Sequence, residues 1–319
     1  MKKKIDIFSG FLGAGKTRLI KKLIDEKFSD EKIVVIENEF GEIGIDGSFL
    51  DKYDIEIKEI TAGCICCSIL GDFKNALNDI INQEGVERII IEPSGVGKLS
   101  EIIKVVKELE ATNEIFLNIV ITVVDITMYE DFVDFFSEFY KNQIAYADTI
   151  VLSRTQHVDY EKIKSVISEI KQINNRASII TTAWDKVSGD KIVAVGESYE
   201  GLDLFKKRNI INKLPEGVKF KVRKSESATD VFISWGLETP KIFNIEKLKS
   251  IFNEIKNEDL YGKVIRSKGI VQVDEESWIE FDYVPKDFQI RDTAPDYTGR
   301  ICVIGTELNE ENLTNLFNN

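Results

Sequence analysis

The sequence predicts an α/β protein with a mostly parallel sheet covered by helices, followed by a smaller C-terminal α+β domain. Three observations carry this prediction. β-rich runs alternate with helical patterns up to about residue 205, a glycine-rich loop joins the first run to the first helical pattern, and the pattern changes after a segment that contains Pro215 and Gly217. The 319 residues, 43% of them apolar, are enough for two domains with cores of their own.

The strands of the first domain are predicted from short apolar runs. They cover residues 5–8, 33–36, 55–59, 88–91, 116–124, 149–152 and 178–181, with helices at 73–81 and 160–173 among the segments between them. Four phenylalanines at helical spacing, Phe132, Phe135, Phe136 and Phe139, predict a helix with a stripe that faces the core, in preference to a groove for a partner.

A second domain is predicted after a linker. Residues 1–205 form the first domain, 206–217 the linker and 218–319 the second domain. In the second domain we expect strands at 218–223, 231–235, 269–273, 278–284 and 301–304, and helices at 245–255 and 311–317, the first of them capped by Asn244. Cys302 lies inside the last strand and is expected in the core.

The glycine-rich loop is a complete G-x-x-x-x-G-K-[ST] motif at residues 10–17, placed between a strand and a helix as that motif requires. Its glycines let backbone N–H groups point at phosphate oxygens, and the N-terminus of the following helix adds positive potential. The first domain is therefore predicted to be a P-loop NTPase. The nucleotide-binding residues expected in this loop are Gly10, Gly13, Ala14, Gly15, Lys16, which supplies a charge for the outer phosphates, and Thr17, which offers a hydroxyl to Mg²⁺.

Glu92 ends a buried-type strand and is followed by Pro-Ser-Gly. A carboxylate at the end of a strand beside the phosphate loop can hold Mg²⁺ directly or through water, and the nearby Gly95 can turn its N–H toward a γ-phosphate. Residues 38–46, which include Asp46 as a further nucleotide-binding candidate, are rich in glycine and acids. This composition fits a switch loop near Mg²⁺ and an ordinary acidic surface loop equally well.

Cys64, Cys66 and Cys67 fall within four residues, beside a glycine. Thiolates suit Zn²⁺ or Cu⁺ far better than Mg²⁺, so the sequence favours a metal site here over a redox pair or inert buried thiols. His157 is the only histidine and lies on a polar segment, where solvent exposure is expected. A fourth ligand would then be a carboxylate such as Glu39 or Glu42, water, or a group from a partner protein.

The charge balance limits the kinds of partner. The chain has 42 basic and 55 acidic residues, a net charge of −13, which argues against nucleic acid and anionic membranes as main partners. The initial Met-Lys-Lys-Lys leads into only a short apolar run, and no run approaches the roughly twenty apolar residues of a membrane span, so we expect a cytoplasmic protein. Four cysteines in that compartment are not a disulfide framework.

Together these motifs resemble those of the CobW-type GTPases, metallochaperones of the SIMIBI class of P-loop proteins. The resemblance rests on residues 10–17, 38–41, 63–67 and 92–95, and it continues past the linker at residues 234–236 and 262–269. It implies GTP binding with slow hydrolysis, Zn²⁺ or Co²⁺ at the three cysteines, and transfer of the metal to a client metalloprotein. By this resemblance Lys16 and Thr17 serve the phosphates and Mg²⁺, and Glu92 serves Mg²⁺ or water. Lys16 and Glu92 are thus the expected catalytic residues.

Two departures from the family pattern bear on function. The family reads guanine with an N-K-x-D motif after a strand, and the matching positions here are Ser153, Arg154, Thr155 and Gln156. An Asp accepts two guanine N–H groups whereas a Gln carbonyl accepts fewer, so we expect GTP as the ligand with a weakened preference over ATP. Arg154 can still lay its stem along the base. The histidine-rich tract of many relatives is absent, which argues against bulk metal storage.

The sequence therefore predicts a nucleotide-switched metallochaperone. GTP and Mg²⁺ would order residues 38–46, and hydrolysis would loosen the thiolate site or the grip on a client. The alternatives are a thiol redox sensor with a nucleotide-binding domain, and an assembly factor for a corrinoid or nitrile hydratase-type enzyme. A homo-oligomer that depends on nucleotide or metal is compatible with this prediction.

Overall fold

The computed structural model describes residues 2–37, 55–59, 69–197, 232–274, 277–296 and 298–318. Residues 38–46, the cysteine segment, the expected linker at 206–217 and the expected strand at 218–223 lie outside these ranges. None of the helices in the described ranges has the length and hydropathy needed to cross a bilayer.

The N-terminal part is a seven-stranded sheet in which every neighbouring pair is parallel. Its strands are β1 (Lys3–Gly10), β2 (Ile33–Glu37), β3 (Glu56–Glu59), β4 (Arg88–Glu92), β5 (Ile115–Asp125), β6 (Thr149–Ser153) and β7 (Ser178–Ile180). They lie in the order β3-β2-β4-β1-β5-β6-β7, so the chain reverses its direction of winding around β1. All seven predicted strands are confirmed. Ligands of such sheets bind at the carboxyl ends of the strands near this reversal.

Helices cover both faces of this sheet. They are α1 (Lys16–Leu23), α2 (Ile69–Ile81), α3 (Leu99–Glu110), α4 (Tyr129–Phe135), α5 (Ser137–Tyr146), α6 (Tyr160–Ile173) and α7 (Gly189–Glu197). Buried residues of α1 and α7 pack with one face of the sheet, and those of α2 to α6 pack with the other. The strands are buried on both sides, which explains their near-continuous runs of Ile and Val.

The phenylalanine stripe is only partly as predicted. The expected helix is interrupted at Phe136, whose φ of −120° and ψ of 33° separate α4 from α5. Phe132, Phe136 and Phe139 are buried, but Phe135 is 65% exposed, and the Lys263 Nζ lies 2.9 Å from its ring centroid. Phe135 therefore lies outside the face that packs on the core.

The C-terminal part is a five-stranded antiparallel sheet in the order β11-β10-β9-β12-β8. Its elements are β8 (Ile233–Thr239), α8 (Ile245–Glu254), α9 (Glu258–Tyr261), β9 (Lys263–Gln272), β10 (Trp278–Val284), β11 (Asp287–Thr293), β12 (Gly299–Thr306) and α10 (Glu310–Asn318). As predicted, the Asn244 side chain caps α8 by accepting hydrogen bonds from two backbone N–H groups of its first turn. Sequence patterns missed β11, a polar edge strand, and the first six residues of β9.

One face of the C-terminal sheet packs on α8 and α10. Residues of the opposite face, among them Ile265, Ile304 and Cys302, belong to the same hydrophobic cluster as the N-terminal sheet. Cys302 is buried, as predicted. The antiparallel sheet is thereby held against the N-terminal domain, and its β9–β11 edge stands beside the carboxyl ends of the parallel strands.

Candidate nucleotide-binding site

The phosphate loop joins β1 to α1 at the centre of the parallel sheet. Gly13 and Gly15 have φ angles of 71° and 100°, a region that favours glycine. Space is also tight, because a Cβ on Gly13 would lie 2.1 Å from the Val284 Cγ1 of the C-terminal sheet. The loop therefore has the backbone conformation that the motif predicts, and at Gly13 it contacts Val284 of the C-terminal sheet.

Thr17, Lys16 and Glu92 meet at the head of α1. The Thr17 hydroxyl donates a 2.9 Å hydrogen bond to the Glu92 Oε1, and the Lys16 Nζ lies 3.8 Å from the same oxygen. Lys16 and Glu92 are both buried. A hydroxyl and a carboxylate are the hard oxygen ligands that Mg²⁺ prefers, so the residues present fit that ion.

Glu37 is a neighbour that sequence reasoning did not single out as a site residue. It ends β2 directly beside Glu92 in the parallel register, and it is buried. On its other side it pairs with Glu59, the last residue of β3. Glu37 could have been found from the sequence, because it is the last residue of a buried strand, which is the feature that identified Glu92.

Gly95 lies directly against the phosphate loop. A Cβ at this position would be 2.7 Å from the backbone nitrogen of Leu12, so only glycine allows this approach. The buried Gln143 side chain donates 3.0 Å hydrogen bonds to the carbonyl oxygens of Gly95 and Gly97. Gln143 therefore fixes the turn after β4, a role that its position in the middle of α5 did not suggest.

The predicted base-reading residues follow β6. Ser153 is buried, and its hydroxyl lies 3.5 Å from the Val124 carbonyl oxygen. Arg154 has a left-handed backbone, with φ of 58°, and begins a short 3₁₀ turn, Thr155–His157. Gln156 and His157 are exposed, with side-chain nitrogens 3.3 Å apart. The exposure of His157 is as predicted.

The Arg154 guanidinium connects three parts of the molecule. Its Nη1 donates to the Gly13 carbonyl oxygen at 2.9 Å and to the Asp125 Oδ2 at 2.7 Å. Its Nε and Nη2 donate to the Asp287 Oδ2 at 3.2 and 3.1 Å. The buried Asp125 also accepts two hydrogen bonds from Thr127, which orient its carboxylate. Sequence reasoning missed Asp125 and Asp287, although Asp125 closes a buried strand as Glu92 does.

One cleft of about 570 Å³, a size typical of small-molecule sites, is lined by Lys16, Thr17, Glu92, Arg154 and Asp287, among other residues. The phosphate loop and the Ser153–His157 segment form one wall together with Trp184, and side chains of β9, β10 and β11 form the other. Seven of the lining residues are Lys or Arg and five are Asp or Glu. In a chain with a net charge of −13, this local basic excess favours a polyanionic ligand.

Burial alters the pKa of charged groups between the two walls. Burial lowers the pKa of Lys21 to about 8, with Glu280 opposing the shift and Arg291 adding to it. Burial raises the pKa of Asp282, but Arg266 and Lys268 outweigh it, so that this carboxyl titrates below its ordinary range. Arg266 donates a 3.0 Å hydrogen bond to Asp282. Charged side chains of the C-terminal wall therefore act on Lys21 of α1 across the cleft.

The expected metal-binding part of the site falls outside the described residues. It comprises Cys64, Cys66, Cys67, Glu39 and Glu42, together with the nucleotide-binding candidate Asp46. Across the ranges that are described, three or more His, Cys, Asp or Glu side chains do not come together in a metal-binding group.

Two family models match the chain. The CobW/HypB/UreG nucleotide-binding domain matches residues 4–181, and the cobalamin synthesis protein cobW C-terminal domain matches residues 232–319. Each match covers one of the two sheets described above.

Similar proteins include three curated relatives. The zinc chaperone YeiR of Escherichia coli K12 is 31% identical over 186 residues, which are 58% of this chain and 57% of that protein. The zinc chaperone YjiA of the same organism is 28% identical over 279 residues, 85% of this chain and 82% of that protein. The zinc-regulated GTPase metalloprotein activator 1 of Schizosaccharomyces pombe is 26% identical over 326 residues, 90% of this chain and 76% of that protein. The chain thus spans little more than half the length of YeiR and most of the other two.

Proposed function

This chain belongs to the CobW/HypB/UreG family of nucleotide-binding proteins, and we propose that it binds and hydrolyses GTP and delivers Zn²⁺ to a client metalloprotein. The observation that carries the proposal is the contact of Thr17 and Lys16 with Glu92 at the phosphate loop. The relatives that are named zinc chaperones, and the one named a GTPase metalloprotein activator, support the choice of cargo and nucleotide.

In this proposal the triphosphate lies on the backbone N–H groups of Gly13, Ala14 and Gly15, with the Lys16 ammonium at its outer phosphates. Thr17 and Glu92 would hold Mg²⁺, which supplies neutralisation of the phosphate charge when it is bound. The backbone of Gly95 lies close enough to the phosphate loop to face a terminal phosphate. The protein's contribution to hydrolysis is therefore positioning and electrostatic stabilisation, not a covalent intermediate.

The nucleoside is proposed to run along the cleft from the phosphate loop toward Ser153, Arg154 and Gln156. The Arg154 guanidinium is bonded at the Gly13 carbonyl oxygen, so its stem connects the base-reading loop to the phosphate loop. Gln156 offers no carboxylate to guanine. The proposed ligand is GTP, and the proposed discrimination against ATP is weaker than an Asp at that position would give.

The cargo Zn²⁺ is proposed to bind Cys64, Cys66 and Cys67, with Glu39 as a candidate additional ligand. The described residues on either side support a link to the nucleotide. In the chain, β3 precedes the cysteine segment. β3 lies beside β2, and β2 ends beside Glu92. Residues 38–46, including Asp46, leave from the end of that same β2. The described strands that precede these segments in the chain, β2 and β3, therefore both end at the carboxyl edge where the phosphate loop lies.

The two matched domains leave residues 182–231 between them. Within that interval we place the end of the GTPase domain at residue 205, a linker at 206–217 and the start of the C-terminal domain at 218. A cytoplasmic location is part of the proposal, because clustered free thiols are kept reduced there.

A single preparation tests the proposal against its main alternative, the thiol redox sensor. Protein kept under reducing conditions is titrated with Zn²⁺ in competition with a chromogenic chelator, and phosphate release from GTP is measured on the same sample. We expect about one tightly held Zn²⁺ per chain and slow phosphate release that is lost in Lys16→Ala. Absence of tight Zn²⁺ binding, together with reversible oxidation of the thiols, would favour the sensor instead.

A further inference from the structure

The turn between β10 and β11 is docked on the nucleotide-binding loops. Val284 packs against Gly13 of the phosphate loop. The Lys286 Nζ donates a 2.9 Å hydrogen bond to the Thr127 carbonyl oxygen. Asp287 then pairs with Arg154. Three successive contacts of different kinds hold this hairpin, so it is an ordered part of the cleft wall.

Asp287 retains an acceptor toward the cleft. Its Oδ2 receives the hydrogen bonds of the Arg154 Nε and Nη2, and a 2.8 Å bond from the Gln289 Nε2. Within the described residues these three bonds all end on Oδ2, which leaves Oδ1 as the second acceptor of the carboxylate. The side chain lines the cleft and is 31% exposed. Arg154 thus fixes the carboxylate in place through charge-assisted hydrogen bonds.

The position of Asp287 along the cleft identifies the part of a nucleotide that it would meet. Arg154 starts in the base-reading loop, and its guanidinium ends at the Gly13 carbonyl oxygen of the phosphate loop. Asp287 is hydrogen-bonded to that guanidinium and lines the same cleft as both loops. In a nucleotide the sugar is the group that joins the phosphates to the base.

We propose that the β10–β11 hairpin forms the sugar-side wall of the nucleotide cleft, and that Asp287 accepts a hydrogen bond from a ribose hydroxyl. This inference rests on the proposed nucleotide binding and extends it, because it makes the C-terminal domain a direct part of the site. A hydrogen bond to an ionised, pre-oriented carboxylate is among the stronger ones in proteins. Its loss corresponds to about a tenfold or larger fall in affinity.

The test compares GDP with 2′,3′-dideoxy-GDP, which lacks both hydroxyls. Diphosphates are used so that hydrolysis does not interfere. Dissociation constants are measured by calorimetry with Mg²⁺ present. We expect the wild-type protein to bind GDP about tenfold or more tightly than the dideoxy analogue. Asp287→Ala should bring the two affinities together. It also removes a contact that docks the hairpin, so any fall in the affinity for the dideoxy analogue should be comparable with the fall in Lys286→Ala. Asp287→Asn keeps the shape and a neutral acceptor, and should retain part of the preference.

Lys286→Ala is the matched control, because it loosens the same hairpin without touching the carboxylate. It should weaken both ligands by the same factor and leave their ratio unchanged. Equal affinity of the wild-type protein for the two ligands would overturn the inference. So would an Asp287→Ala protein that loses affinity for both equally, since Asp287 would then act only in docking. If the wild-type protein binds neither ligand, the proposed nucleotide binding itself fails.

Discussion

Thr17 and Glu92 are joined by a 2.9 Å hydrogen bond although 75 positions separate them in the chain. The contact forms because β1 and β4 are adjacent parallel strands, so the helix that follows one and the carboxylate that ends the other meet at the same edge. Lys16 lies beside the same carboxylate oxygen. The proposed nucleotide binding depends on this arrangement.

Lys16→Ala should reduce GTP hydrolysis at least about a hundredfold, because the outer phosphates lose the only lysine of the phosphate loop. The measurement is phosphate release at saturating nucleotide. Circular dichroism of the variant should match the wild-type spectrum, since the side chain faces the ligand site and not the hydrophobic core. Near-normal turnover in the variant would refute the phosphate-loop assignment.

Gln156→Asp should increase the preference for GTP over ATP about tenfold or more, because a carboxylate accepts both guanine N–H groups and repels the adenine ring acceptor. Competition of each nucleotide against a fluorescent GDP analogue measures the ratio. Gln156→Asn is the control, since it shortens the side chain equally without adding charge. A wild-type protein that already excludes ATP by several orders of magnitude would mean that other groups read the base.

The parts of this site that sequence predicted are those built from local signals. The phosphate loop needs only a strand, its glycines and a helix in succession, and Glu92 and Ser153 each close a strand with a strong apolar run. The Arg154–Asp287 pair joins positions 133 apart and the two domains. No local periodicity encodes such a contact, and β11, which begins at Asp287, was itself missed.

The error at Phe135 has a related cause. Spacing alone treats residues 132–139 as one continuous helix, whereas the aromatic rings of Phe132, Phe136 and Tyr140 pack around Phe11. The helix is interrupted at Phe136, which belongs to this aromatic cluster, so residues 132–139 do not form the one continuous helix that the spacing predicts. Burial of Phe11 under these rings also explains why the phosphate loop carries a large apolar residue.

Lys21 gives the folded protein a defined pH dependence. Its folded-state pKa of about 8 lies below the ordinary lysine value of 10.5, so the unfolded chain binds more protons between these two pH values. The free energy of unfolding contributed by Lys21 should therefore rise as pH increases from about 8 to 10.5. Urea denaturation across this range measures it. Lys21→Met should show a flatter profile, and identical slopes in the two proteins would contradict the assignment.

Nucleotide and metal binding are proposed to be coupled, and the Zn²⁺ affinity with and without a non-hydrolysable GTP analogue measures that coupling. We expect the analogue to change the Zn²⁺ affinity by about 5- to 150-fold, and linkage requires Zn²⁺ to change the analogue's affinity by the same factor. Cys66→Ser should remove both effects while nucleotide binding in the absence of metal survives. Equal Zn²⁺ affinity in the presence and absence of the analogue would contradict the switch mechanism, even if both sites bind their ligands.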